Sequence, residues 1–395
     1  MMPSMTYIDV SYNYLNKKNE NLCGDKVQVY KSEDRTIIVL ADGLGSGVKA
    51  NILATLTSQI ALTMLKRNAS IHEVVDTIIH TLPVCSVRKI AYSTFSIVEI
   101  DKDLNCQIYE YDNPAFFFIR DYKIMKPKKE SIIIHDKEVF VSRFKLKISD
   151  VLYLCSDGVV HAGVGRYLPF GWQWEDVGKY LIGQQALASF HLCNELLYAC
   201  NDLYEDMPDD DTTVVAVKVR RQQNLHIFTG PPVVKELDKP FVEHFNKLYG
   251  KKMICGGTAA QIYARETGKK IITDLDYISP DVPVTARIKG VNLVTEGIVT
   301  MSKCVELIEK FKEDYRQVNF KHQDGATKML RMFLEDSTSI TIWFGKSVNS
   351  AHQHFDFPQT LSLKINVVNQ LISALKSLGK EITIEYISEI NYESI

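Results

Sequence analysis

Asp42-Gly43-Leu44-Gly45-Ser46-Gly47 decides the reading of this chain, because of what stands on either side of it. Thr36-Ile37-Ile38-Val39-Leu40 before it is apolar and β-branched, the composition of a buried strand. Val48 to Arg67 after it has the apolar spacing of a helix. A strand that delivers an Asp, then glycines, then a helix start builds a turn around one carboxylate. Glycine allows positive φ and close backbone approach, so a ligand or metal can sit against such a turn.

Three further acids share this setting. Gly24-Asp25 precedes the apolar segment Val27 to Tyr30, and the strand-like Val151-Leu152-Tyr153-Leu154-Cys155 runs into Ser156-Asp157-Gly158. Asp209-Asp210-Asp211-Thr212-Thr213 opens the run Val214 to Val217. One Asp at a strand end is ordinarily a turn residue or a helix N-cap. Four of them, Asp25, Asp42, Asp157 and Asp210, suggest one shared pocket. Carboxylates brought that close repel one another and call for cations. An oxygen-only set favours hard ions, Mg²⁺ or Mn²⁺.

The ordered set resembles the metal-dependent protein phosphatases of the PP2C (PPM) family, in their bacterial SpoIIE-like branch. Gly24-Asp25, Asp42 to Gly47, Ser156-Asp157-Gly158-Val159 and Asp210 to Val215 carry the resemblance, over roughly residues 5 to 220. Thr94-Phe95-Ser96 and Asp112-Asn113-Pro114-Ala115-Phe116 add to it. It implies an α+β fold, a PP2C-like αββα sandwich of two antiparallel sheets with helices outside. By position Asp42 is implied to bridge two Mn²⁺ or Mg²⁺ ions, with the Gly43 carbonyl as a further ligand. Asp157 and Asp210 are implied to serve one ion and Asp25 the other. Asp42, Asp157 and Asp210 are thereby the implied catalytic residues, with metal-activated water attacking a phosphoserine or phosphothreonine directly. Leu44 stands where many eukaryotic members carry a His. His161 is a substitute acid or simply a surface histidine, and Arg35 and Arg88 are the arginines available to hold phosphate.

Competing nucleotide readings fail. Gly43, Gly45 and Gly47 lack the spacing of a dinucleotide loop, and Asp42 would face a pyrophosphate with the wrong charge. Gly345-Lys346-Ser347 has no glycine five residues before it, so it is not a P-loop.

With 395 residues, 46% of them hydrophobic, the chain can build two or three cores. A net charge of −2 gives no reason to expect nucleic acid, and no stretch approaches a membrane span of roughly 20 apolar residues. Eight cysteines without C-x-x-C spacing read as reduced core residues of a cytoplasmic protein.

Arg220-Arg221-Gln222-Gln223-Asn224 is the expected linker, dividing a phosphatase domain over 1–222 from a smaller α/β domain over 223–395. Thr213 to Val219 is expected to alternate as a closing strand, and Gln184 to Tyr204 to form a covering helix. In the second half Pro240 to Tyr249 reads as a helix stopped by a C′ glycine at Gly250. Lys251 to Cys255, Gly256-Gly257-Thr258 and a helix to Thr267 read as strand, turn, helix. That turn is either an anion cradle or a tight connection needing small residues. Asn349, His352, Gln353, His354 and Asp356 crowd one loop and mark a ligand site. Cys255 to Ala260 and Asn349 to Gln353 also resemble a tail found behind some SpoIIE-like phosphatases. The expected partner is a phosphoprotein of the anti-sigma-antagonist kind, with a homodimer left open. The alternative is a binding protein that keeps the phosphatase fold as a scaffold and uses the second domain for ligand sensing.

Overall fold

The computed structural model describes residues 6–81, 93–135, 137–184, 188–345 and 357–390. The chain divides into two compact units, Thr6–Arg221 and Gln222–Ile395.

The first unit opens with β1 (Thr6–Leu15), β2 (Asp25–Lys31) and β3 (Arg35–Gly43), then α1 (Gly47–Lys66) and α2 (Ile71–Thr81). β4 (Ser93–Asp101), β5 (Asn105–Tyr111), β6 (Phe117–Arg120) and β7 (Lys123–Met125) follow. Next come β8 (Lys129–Ile134), β9 (Lys137–Lys145) and β10 (Val151–Cys155). α3 (Asp157–His161), α4 (Trp174–Ile182), α5 (Ser189–Leu203) and β11 (Thr212–Arg221) complete it. The strands make two antiparallel sheets, in the orders β1-β11-β10-β6-β7 and β2-β3-β4-β5-β9-β8.

Alternation along β3 shows why these sheets stack. Ile38 and Leu40 pack with Leu152, Leu154, Val215 and Val217 of the other sheet. Ile37 and Val39 face the other way, onto Leu62 and Leu65 of α1 and Val74, Val75 and Ile78 of α2. The second sheet repeats the arrangement, with Tyr153, Val214 and Ala216 against Leu192, Leu196 and Cys200 of α5. The layers are therefore helix, sheet, sheet, helix, the αββα sandwich the motifs imply. Thr213 to Val219 lies in β11 as the expected strand, with Val214 and Ala216 facing α5 and Val215, Val217 and Val219 facing the space between the sheets. Because both sheet faces are covered, Thr212 to Val217 is buried throughout. The expectation of no span-length apolar stretch is corrected: α1 is long and apolar enough to cross a bilayer by length and composition. In this fold it is the helix laid on β3, with Ala50, Ala54, Ala61, Leu62 and Leu65 buried.

The second unit runs β12 (Asn224–Thr229), α6 (Asp238–Lys247), β13 (Lys251–Cys255) and α7 (Gly257–Thr267). β14 (Ile272–Thr273), β15 (Ala286–Arg287), β16 (Leu293–Thr295), α8 (Ile298–Glu313) and α9 (Gly325–Leu334) follow. β17 (Ser339–Phe344), α10 (Phe357–Ser377) and β18 (Glu381–Tyr386) close it. Its sheet order is β14-β15-β16-β13-β12-β17-β18, parallel from β16 to β18. The order grows leftward from β12 and then rightward from it, a doubly wound α/β unit whose direction switches between β12 and β17. Gly250 is not the C′ residue of α6. The helix ends in extended backbone at Leu248, and Gly250 has φ +127° where a Cβ would stand 2.4 Å from the Asn224 carbonyl oxygen.

Candidate metal centre

Two strand ends and two strand starts meet at one end of the sandwich. Asp25 opens β2 and lies directly opposite Asp42, the penultimate residue of β3, while Thr94 of β4 faces Asp42 from the other side. From the second sheet, β10 ends immediately before Ser156-Asp157, and Asp210-Asp211 lead into β11. Ser156 ties those two ends together: its N–H donates to the Thr213 carbonyl at 3.0 Å, and its hydroxyl accepts from the Thr213 N–H at 2.8 Å. The candidate ligand atoms of Asp157, Asp210 and His161 consequently lie within 4.8 Å of one another.

Asp211, which the motif reading passes over, is what locks the two sheets' acids into register. One carboxylate oxygen accepts from the Lys17 N–H at 3.0 Å and the other from the Gly24 N–H at 2.9 Å. Gly24 in turn accepts from the Gly43 N–H at 3.1 Å. Close approach explains both glycines. A Cβ on Gly24 would stand 2.8 Å from the Asp211 carboxylate, and one on Gly43 would stand 2.0 Å from the Ala50 carbonyl oxygen. The signal for Asp211 was present in the run of three acids: the last of them abuts a buried strand and must point inward.

The electrostatics fit a cation. Burial, then the charges of Asp25, Asp157, Asp210 and Asp211, push the Asp42 carboxyl up to about 9. Burial is also the main cause that lifts Asp25 to about 7, against hydrogen bonds from Thr213 and Ser156. Asp210 is raised by burial and by Asp157, with Lys17 opposing at 3.7 Å. Asp25 Oδ2 is buried without a hydrogen-bond partner, an orphan that costs free energy unless something positive faces it. Mutually repelling, all-oxygen carboxylates with an orphaned oxygen suit divalent Mg²⁺ or Mn²⁺.

Other expected residues fall out differently. His161 is about half exposed, with Nδ1 3.8 Å from Asp157 Oδ2, at the rim of the cluster. Arg35 does not reach the centre: it begins the strand whose far end carries Asp42, pairs with Glu99 and donates to the Lys66 carbonyl. Arg88 lies outside the described residues. Thr94 donates to Asn113, which donates to Ser96, joining the two accessory motifs beside Asp42. A cavity of about 580 Å³ adjoins them, lined by Asn113, Pro114, Lys129, Lys137, Phe140 and Asp157 among others.

In the second unit Gly256-Gly257-Thr258 links β13 to α7, as expected. Gly256 has φ +124°, and its N–H donates to the Thr295 carbonyl at 3.0 Å. Gly257 has no neighbour within 4 Å of its Cβ position, so packing does not demand a glycine there. Lys364 of α10 reaches the same sheet end, its Nζ 3.0 Å from the Cβ position of Gly230. Burial pulls its ammonium pKa down, with Cys255 and Glu296 opposing. Asn349, His352 and Gln353, with His354 and Asp356, lie outside the described residues.

Residues 32–220 match the family model for stage II sporulation protein E (SpoIIE). No curated protein matches the chain. The SpoIIE phosphatase domain of Bacillus subtilis is a structural neighbour at 20% identity and TM-score 0.44, covering 55% of this chain and 95% of that one. A longer SpoIIE structure, the PP2C phosphatase domain with a fragment of the regulatory domain, gives 20% identity and TM-score 0.49 over 56% and 66%. The RsbU and RsbW domains of a Mycobacterium tuberculosis protein give 16% identity and TM-score 0.46 over 62% and 69%.

Proposed function

Residues 32–220 form a domain of the SpoIIE-like PP2C branch, and on that premise we propose that the chain is a metal-dependent phosphoserine/phosphothreonine protein phosphatase. The observation that carries the reading is the convergence of Asp25, Asp42, Asp157 and Asp210 from two sheets with an orphaned, buried Asp25 oxygen. Asp25, Asp42, Asp157, Asp210 and the Gly43 carbonyl would hold two Mn²⁺ or Mg²⁺ ions. When bound, such ions supply an activated water and neutralise the phosphoryl oxygens.

The chain's own residues do the rest. Asp211 holds the Gly24-Asp25 turn against β11, so that Asp25 faces Asp42 at a fixed distance. Lys17 tempers the charge of Asp210. The cavity beside Asp157 offers Phe140 and Pro114 for apolar contact and Lys129 and Lys137 at its wall. It takes the polypeptide flanking the phosphorylated residue, in a phosphoprotein of the anti-sigma-antagonist kind. The second unit regulates the first through a ligand held at the carboxyl ends of β12, β13 and β17, where Gly256, Gly257 and Thr258 lie. Doubly wound sheets bind ligands at that edge. A non-catalytic scaffold would have no need to keep every acid of the set.

Hydrolysis of p-nitrophenyl phosphate, with Mn²⁺ and with EDTA, tests the reading on the full chain and on residues 1–222. Turnover that needs Mn²⁺ and falls at least about 100-fold in Asp42→Asn supports it. A rate difference between the two proteins supports regulation by the second unit. Absence of turnover together with absence of Mn²⁺ binding by calorimetry would favour the scaffold.

A further inference from the structure

A second group of metal-ligating side chains lies apart from the acids described above. Helix α2 buries Val74, Val75 and Ile78 against the sheet and turns Asp76 and His80 outward. Those two are four residues apart, so they share one helix face. The third member, His135, comes from another element. Ile134 of β8 pairs with Lys137 of β9, and His135 follows Ile134 directly, at φ +46°.

Both rings lie against Asp76, His135 on its carboxylate and His80 between that carboxylate and the Asp76 backbone carbonyl oxygen, which stands 2.8 Å from His80 Nδ1. His135 Nε2 lies 2.5 Å from Asp76 Oδ1, and His80 Nδ1 lies 3.3 Å from that atom. The imidazoles meet edge to face, with centroids 5.2 Å apart. All three candidate ligand atoms are within 4.8 Å of one another. An ion bonded at ~2.0–2.1 Å to each ligand in tetrahedral geometry needs them about 3.3 Å apart. Side chains that are 48%, 65% and 54% exposed for Asp76, His80 and His135 can close that small difference by rotation.

We propose that Asp76, His80 and His135 form a binding site for one borderline divalent cation of the Zn²⁺ class. The donor set decides the class. Two imidazoles and one carboxylate suit Zn²⁺, Co²⁺ or Ni²⁺, whereas the all-oxygen centre suits Mg²⁺ or Mn²⁺. Three protein ligands at an exposed position leave water for the fourth. An ion there joins α2 to the tip of the β8–β9 hairpin, and α2 also packs on α1, whose first turn follows Asp42-Gly43. The site stands on its own geometry, whatever the first centre catalyses.

The test is Zn²⁺ titration by calorimetry, with Co²⁺ absorption as a second readout, on the full chain carrying Asp42→Asn and Asp157→Asn to disable the first centre. Seven of the cysteines are buried, which limits competition from thiols. One equivalent of Zn²⁺ is expected. His80→Ala and His135→Ala should each weaken binding beyond the 10–100-fold typical of losing an outer-shell partner. His72→Ala, another exposed histidine on α2, should leave it unchanged. Circular dichroism checks folding, and Asp76→Asn supplies a near-isosteric variant that should also weaken binding. Zn²⁺ binding unaffected by both histidine changes, or no binding before they are made, would overturn the proposal and leave an exposed His–Asp–His contact only.

Discussion

Asp42 is a carboxylate raised to about 9 in a fold whose unfolded chain titrates it near the ordinary value of 3.8. An acid whose folded pKa is raised stabilises the fold in its protonated form. That contribution is full below about 4 and drains away as pH rises towards 9. Asp25, raised to about 7, has the same sign over a narrower window. With metal removed by EDTA, the first unit should therefore melt at a lower temperature at pH 8 than at pH 5. Mn²⁺ should restore the pH 8 value, and Asp42→Asn should flatten the slope without metal. A thermal midpoint that rises from pH 5 to pH 8 in EDTA would contradict the mutual repulsion of these acids.

Elements join into a centre here through one residue that belongs to none of the recognised ligand positions. Asp211 accepts two backbone N–H groups, the buried one of Gly24 and the part-buried one of Lys17, from either side of the loop before β2. Replacing it by Ala should cost about 2–4 kcal/mol in chemical denaturation, because both donors lose a charged acceptor. Asp211→Asn should recover part of that, since its amide oxygen can still serve one of them. Reading the sequence, β3 and α1 are legible because a β-branched run, a glycine turn and an apolar helix follow one another. Asp211 is harder to see, since its role depends on Lys17 and Gly24, nearly two hundred residues earlier. β11 is legible as a strand from its valines, although cover on both faces leaves Thr212 to Val217 buried throughout. The two- and three-residue strands β14, β15 and β16 carry no local signal at all, being defined by whom they pair with. The cluster around His135 is invisible for the same cause, because a hairpin tip and a helix face meet only in three dimensions.

At the scale of the whole molecule, each unit has its own sheets and its own buried clusters. Residues 1–222 and 223–395 should therefore fold separately. Calorimetry of the full chain should show two transitions, each reproduced by one fragment within a few degrees. A single transition absent from both fragments would show that neither is a folding unit.

The pairing of β1 with β11 has a consequence for how the protein is made. Thr6 finds its partner only at Arg221, and the ten-residue ladder between the two strands closes the sheet. A ribosome adding about 5–20 residues per second needs on the order of 10–40 s to travel from one to the other. During that interval the first strand of the sandwich has emerged and has nothing to zip onto. The acids arrive in the same delayed order, with Asp210 last of the four. A nascent chain can thus carry Asp25 and Asp42 out of the tunnel long before Asp157 and Asp210 can join them. The four acids come together only at the end of the unit's synthesis.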